Sequence, residues 1–197
     1  MSTITRDSLL TLEDYAKVRK QKRDEVMTHK KARKIPLGDH VILLFEDDLT
    51  IRYQIQEMLH IERIFQEDEI THELETYLPL VPDGTNWKAT MMIEYPDPSV
   101  RADRLAKMVG IEDSVWVKID DLPPVYAIAD EDLDRENTEK TSAVHFLRFE
   151  LSKDMIRALR QHGNLSMGVD HPAYRVVIES IDEQSRASLI NDLIDIQ

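Results

Sequence analysis

Cysteine is absent from this chain. That one absence removes disulfides, thiolate zinc sites, cysteine-ligated iron–sulfur clusters and cysteine nucleophiles. Glycine is scarce, with 5 residues in 197, and no GxGxxG or GxxxxGK[ST] loop occurs, so a backbone cradle for nucleotide phosphates has no support. A GxSxG elbow is missing too, which takes away the common serine-hydrolase reading. No apolar run approaches the ~20 residues that cross a bilayer. The opening MSTITRDSLLTLEDY lacks the basic-then-apolar pattern of a secretory signal. The expectation is a cytoplasmic chain without a membrane partner.

What is present describes a folding globular chain. Hydrophobic residues make up 42% and charged residues 32%, and the length suits one domain, residues 1–197, with a sizeable core. The formal net charge of −13 is unevenly spread. Residues 1–40 carry 10 Lys or Arg against 6 Asp or Glu, whereas residues 41–197 carry 15 against 32. A basic arm on an acidic body is expected to dock on that body. Nucleic acid, which the body's field repels, is not an expected partner.

Leu12 to Arg33 holds no Gly or Pro and reads as a helix capped by Thr11, the core of a basic helical arm over residues 1–35 that ends at an Ile35-Pro36-Leu37-Gly38 turn. Within residues 41–82, Val41 to Phe45 reads as a buried strand. Asp48 then caps a helix to about Phe65, and Asp68 caps a second one that Pro79 stops. Residues 87–197 turn strand-rich: Trp87 to Tyr95, Val115 to Ile119, Val125 to Ala129, Ser142 to Leu151, Ser166 to Val169 and Tyr174 to Ser180. Helices are expected at Val100 to Val109, Lys153 to Gln161 and Glu183 to Ile194. This order predicts an α+β fold with a mixed or mainly antiparallel sheet, on which the long helix and a helical hairpin pack.

Several residues are chemically suggestive. Glu57/His60 and Glu69/His72 repeat the Glu-x-x-His spacing of di-iron carboxylate helices, yet the helical wheel turns His60 away from the apolar arc of Ile51, Ile55, Met58, Leu59 and Phe65, and His72 away from Ile70, Leu74, Tyr77 and Val81. Glu62 falls inside that arc and should be buried and paired. Arg19 and Arg23 lie on the arm's apolar face, while His145 and Arg148 sit on opposite faces of an apolar strand. Glu62, Arg19, Arg23, Arg148 and His145 are therefore expected to form one polar network joining arm, hairpin and sheet. Asp130-x-Asp132-x-Asp134 imitates a calcium loop but has Arg135 at the sixth position and Thr141 at the twelfth, so it reads as a solvated acidic segment. Asp170-His171-Pro172 reads as a turn.

The segments LEDYAKVRKQKRDEV, HKKARKIPLGDHVILLFEDDLTIRYQIQEMLHIERI, ATMMIEY, TSAVHFLRFEL and GVDHPAYR resemble the bacterial domain of unknown function 3501 family over nearly the whole chain. The resemblance brings no catalytic residues with it. Its genomic setting, near rubrerythrin-like and iron–sulfur oxidoreductase genes, implies an accessory role in peroxide or redox metabolism. The reading is a protein-binding partner that acts on such a redox protein or on a second copy of itself in a homo-oligomer, without a cofactor. The alternative is an iron- or zinc-dependent protein whose site gathers Glu57, Glu62, His145 and His171. Whether the chain is an enzyme stays open at this point.

Overall fold

The computed structural model describes residues 4–129 and 140–195. Among them are six α-helices and nine strands in two antiparallel sheets. The chain starts with a 3-10 turn at Arg6–Ser8 and the long helix α1, Leu12–Lys31, capped by the Thr11 hydroxyl on the Asp14 amide. Next come β1 (Lys34–Leu37), β2 (Val41–Glu46), α2 (Asp48–Glu62) and α3 (Glu67–Tyr77). After β3 (Asn86–Ile93) and α4 (Pro98–Lys107) the chain runs through β4 (Val115–Ile119), β5 (Val125–Tyr126), β6 (Ile128–Ala129) and β7 (Val144–Glu150). It ends with α5 (Lys153–Arg160), β8 (Leu165–His171), β9 (Tyr174–Ile178) and α6 (Glu183–Ile190).

The first sheet has the order β1-β2-β3-β7-β6 and the second β5-β4-β8-β9. They meet at Ala127, where the chain leaves β5 on the edge of one sheet and enters β6 on the edge of the other. The Ala127 amide bonds to the Val115 carbonyl. Strict alternation in β2, β3 and β7 sends Leu43, Phe45, Trp87, Met91, Leu147 and Phe149 inward. There they share one core with Val117, Leu165 and Met167 of the second sheet and with Ile156, Leu159 and Leu189 of the C-terminal helices. A second, smaller core joins Ile4 and Leu9 to Ile51, Ile55 and Leu59 of α2 and Ile70 and Leu74 of α3. The fold is α+β, as expected from the order of elements.

Local departures have physical reasons. Residues 35–37 are the edge strand β1 rather than a turn. Pro36 is tolerated because it faces out of the sheet's edge, while Ile35 and Leu37 point into the core. The reversal comes one step later, at Gly38, with φ +74°. Helix α2 stops at Glu62 because Arg63 adopts the left-handed conformation (φ 57°), so Phe65 leaves the helical wheel and stands 70% exposed. The expected strand over Val125 to Ala129 is divided between the two sheets, and Asp170 and His171 belong to β8, the turn being Pro172-Ala173. The Asp130-x-Asp132-x-Asp134 segment lies outside the described residues. Among the described residues, no helix is long and apolar enough to cross a membrane.

Candidate functional site

Helix α1 runs antiparallel to α2 and meets it along a seven-residue pattern: Leu12, Tyr15, Arg19, Lys22, Val26 and His29 fall at alternating spacings of three and four, with Tyr15 and Val26 fully buried. Half of these positions are polar: α2 and its cap supply the complements of Arg19 and His29, while Lys22 pairs with Glu25 on its own helix. The Arg19 guanidinium donates two hydrogen bonds to Glu57, both 2.8 Å, and the Tyr15 hydroxyl donates a third at 2.6 Å. His60 sets its ring edge against Tyr15, with centroids 5.7 Å apart. Arg19 above all, with help from Tyr15, pulls the Glu57 carboxyl down to about 2. Burial and the facing Glu57 push the Tyr15 phenol upward.

These contacts revise the helical-wheel expectations. The Glu57/His60 face is the seat of the arm rather than a solvated surface, and Glu57 holds the place expected of Glu62. Glu62 is exposed and makes no ion pair among the described residues, because the last turn of α2 runs past the area that the arm covers. The five residues of the expected network do not converge. Arg19 pairs with Glu57, Arg23 is exposed, Arg148 bonds Glu150 on the outer face of the first sheet, and His145 lies on its inner face. Glu69 and His72 are exposed on α3, as the wheel requires.

A buried polar cluster that the sequence reading missed centres on Arg33, 1% exposed, two residues beyond the end of the arm helix. Its Nε donates to the Phe45 carbonyl at 2.9 Å and its Nη2 to the Glu46 carbonyl at 3.0 Å and to Asp192, while Nη1 reaches the Ser188 carbonyl and hydroxyl at 3.3 Å. Asp47, the N-cap of α2, lies 3.5 Å from Nη1 and accepts from His29 at 2.5 Å. Every guanidinium N–H is thereby engaged, and one side chain ties the arm, β2, α2 and the C-terminal segment together. Desolvation outweighs Arg33 at Asp192 and lifts its carboxyl to about 6.

The two buried histidines stay apart. His145 directs Nε2 at the Thr141 hydroxyl (2.8 Å) and the Ser142 carbonyl (3.1 Å), with Glu112 at 3.7 Å. The carbonyl only accepts, so that nitrogen carries the proton. His171 donates from Nε2 to the Val109 carbonyl at 3.1 Å and accepts the Ala173 amide at Nδ1 at 3.2 Å, which leaves its ring no lone pair for a metal. Glu57 and Glu62 lie on α2, His145 on β7 and His171 on β8, and no group of three or more metal-capable side chains occurs among the described residues.

A different surface has the composition of a binding face. On the outer side of the second sheet, cross-strand pairing lines up Tyr126, Trp116, Gly168 and Val177 in one row over all four strands. Gly168 has no side chain, and a Cβ there would come within 2.5 Å of the Trp116 ring, so the indole lies across it. Tyr126 is 47% and Val177 49% exposed. The row borders a hollow of about 480 Å³ with Lys118, Pro124, Asp170 and Arg175 around it, Arg175 pairing with Asp170 at 2.8 Å. Trp116 also reports on this face, because Trp87, the chain's other tryptophan, is fully buried and bonded to the Leu189 carbonyl.

The fold has a solved counterpart. The crystal structure of a novel protein of unknown function from Burkholderia pseudomallei K96243 matches 98% of this chain and 100% of its own at 59% identity, with a TM-score of 0.93. No curated protein matches the chain. Residues 3–193 match the family described as protein of unknown function (DUF3501), and the chain belongs to that family.

Proposed function

We propose that this protein is a non-catalytic accessory that binds another protein through the open face of its second sheet. The observation that carries the reading is the row Tyr126–Trp116–Gly168–Val177, an aromatic and aliphatic strip left open in a chain that buries its other tryptophan completely. Aromatic side chains rimmed by polar groups are the usual anchors of protein interfaces. The side chains with catalytic chemistry, by contrast, hold the fold: Glu57 seats the arm, and His145 and His171 bond nearby backbone carbonyls.

The proposed partner is a rubrerythrin-like or iron–sulfur oxidoreductase protein, which the family's genomic setting implies, and the proposed setting is the cytoplasm, without metal, cofactor or nucleic acid. The test titrates the purified redox protein into this chain while following tryptophan emission. Saturable binding that Tyr126→Ala or Val177→Asp weakens at least tenfold is expected. Failure of both classes of redox protein to bind removes the partner assignment. A concentration-dependent dimer abolished by Val177→Asp would instead assign the face to a second copy. Near-stoichiometric iron, zinc or manganese in tag-free protein, lost on His145→Ala or His171→Ala, would overturn the non-catalytic reading.

A further inference from the structure

Between the arm and α2 lies a partly enclosed hollow of about 240 Å³, lined by Ser8, Leu10, Tyr15, Lys22, Val26, Leu49, Arg52, Tyr53 and Gln56. Its walls are mainly apolar: Leu10, Val26, Leu49 and the two tyrosine rings. Its one amide is already satisfied, because Gln56 accepts from the Leu10 amide at 2.9 Å and donates to the Leu10 carbonyl at 3.1 Å. The charged residues of the lining, Lys22 and Arg52, are both cations, and the lining contains no carboxylate. Each cation is already paired with a carboxylate just outside the lining, and of the two the exposed pair Lys22–Glu25 is the weaker and the one that a ligand's carboxylate can displace.

The geometry points to a binding site for a small monocarboxylate with an apolar tail. An apolar cavity of about 150 Å³ holds a benzene ring. A hollow of 240 Å³ therefore admits a tail of about six to nine carbons. The carboxylate is received at the Lys22 side. Lys22 holds Glu25 at 3.1 Å on the exposed face of its own helix, so its flexible stem turns from that surface pair to the ligand at small cost. Arg52, fixed by Asp48 at 2.9 Å and by the Ser8 carbonyl at 3.3 Å, supplies field rather than a new bond. The Tyr53 hydroxyl, which makes no hydrogen bond among the described residues, is a further donor to the head group. Such a ligand touches the N-terminal turn, α1 and α2 together and so fastens the arm. The site shares no residue with the partner face of the second sheet, so either proposal can fail without the other.

The experiment is calorimetric titration of the full chain with butyrate, hexanoate, octanoate and dodecanoate, with octylamine as the cationic control. Affinity should tighten about threefold to fourfold per added methylene up to the length that fills the hollow and gain nothing beyond it. The best ligand should bind with Kd of about 0.01–1 mM. Lys22→Glu should weaken octanoate at least tenfold. Leu49→Trp, a change at a half-exposed position that fills the hollow, should abolish binding while the circular dichroism stays unchanged. No binding of any acid at 10-fold above that range, binding indifferent to chain length, octylamine binding as tightly as octanoate, or octanoate unaffected by both substitutions would each overturn the proposal.

Discussion

At the scale of single residues, the polar groups that matter are those whose hydrogen bonds cross from one element to another. Glu57 accepts from Tyr15 and Arg19, and replacing it with Gln removes the charge that Arg19 grips while keeping an acceptor for the buried phenol. Arg19 is 40% exposed, so solvent screens the pair, and the expected loss is about 1–2 kcal/mol in urea unfolding, shrinking as salt is raised. Arg33 is the harsher case. Arg33→Met leaves Asp192, with 7% of its side chain exposed, without its cation, and should cost about 3–5 kcal/mol. The double variant Arg33→Met with Asp192→Leu should recover part of that loss, since it removes the stranded carboxylate. A double variant no more stable than Arg33→Met alone would show that the backbone carbonyls of Phe45 and Glu46, rather than Asp192, are what the guanidinium satisfies.

At the scale of elements, the row of the second sheet depends on Gly168. Its added Cβ would meet the Trp116 ring and the Val176 carbonyl oxygen, each at 2.5 Å. The ring can move and the carbonyl belongs to the neighbouring strand, so Gly168→Ala should cost about 1–3 kcal/mol and Trp116→Leu in the same chain should not restore it. Full rescue by Trp116→Leu would mean that β9 yields and that only the indole needs the glycine. Most elements were legible in the sequence because their signals are local. Val115–Ile119 is the strand its composition announces and Thr11 caps the long helix as read, whereas the next two helices start from Asp47 and Gln66 rather than from Asp48 and Asp68, because neighbouring acidic residues offer the same local cap signal. The site residues were less legible. A helical wheel separates apolar from polar arcs, but a polar arc that seats another helix looks the same as one in water, and Glu57 with His60 belongs to the first kind. Arg33 gave no sign either, because its carbonyl partners lie 12 and 13 residues away and Asp192 lies 159 away.

At the scale of the whole molecule, two carboxyls shifted in opposite directions shape how stability depends on pH. Asp192 is raised to about 6 by desolvation, against 3.8 in an open chain, so between those values the folded state holds a proton that the unfolded state has released. Its contribution is fully present below about pH 3.8 and is lost as pH rises through 6, a difference of about 2–3 kcal/mol. Glu57 is lowered to about 2, chiefly by Arg19, against 4.5. Its contribution is present above pH 4.5 and is lost as pH falls toward 2. Lowered Asp14, Glu67, Asp97, Asp103 and Asp182 act in the same direction. Stability measured by urea unfolding should therefore rise as pH falls from 7 to about 4.5 and drop below it, a maximum on the acid side of neutrality. Asp192→Asn should flatten the limb between pH 6 and 4 while leaving the acid limb in place. Glu57→Gln should make the acid limb shallower and leave the other unchanged, because the remaining lowered carboxylates still titrate there. A wild-type profile that climbs steadily from pH 4 to 7 would show that Asp192 is ionised in the folded protein well below 6 and that Arg33 outweighs its burial.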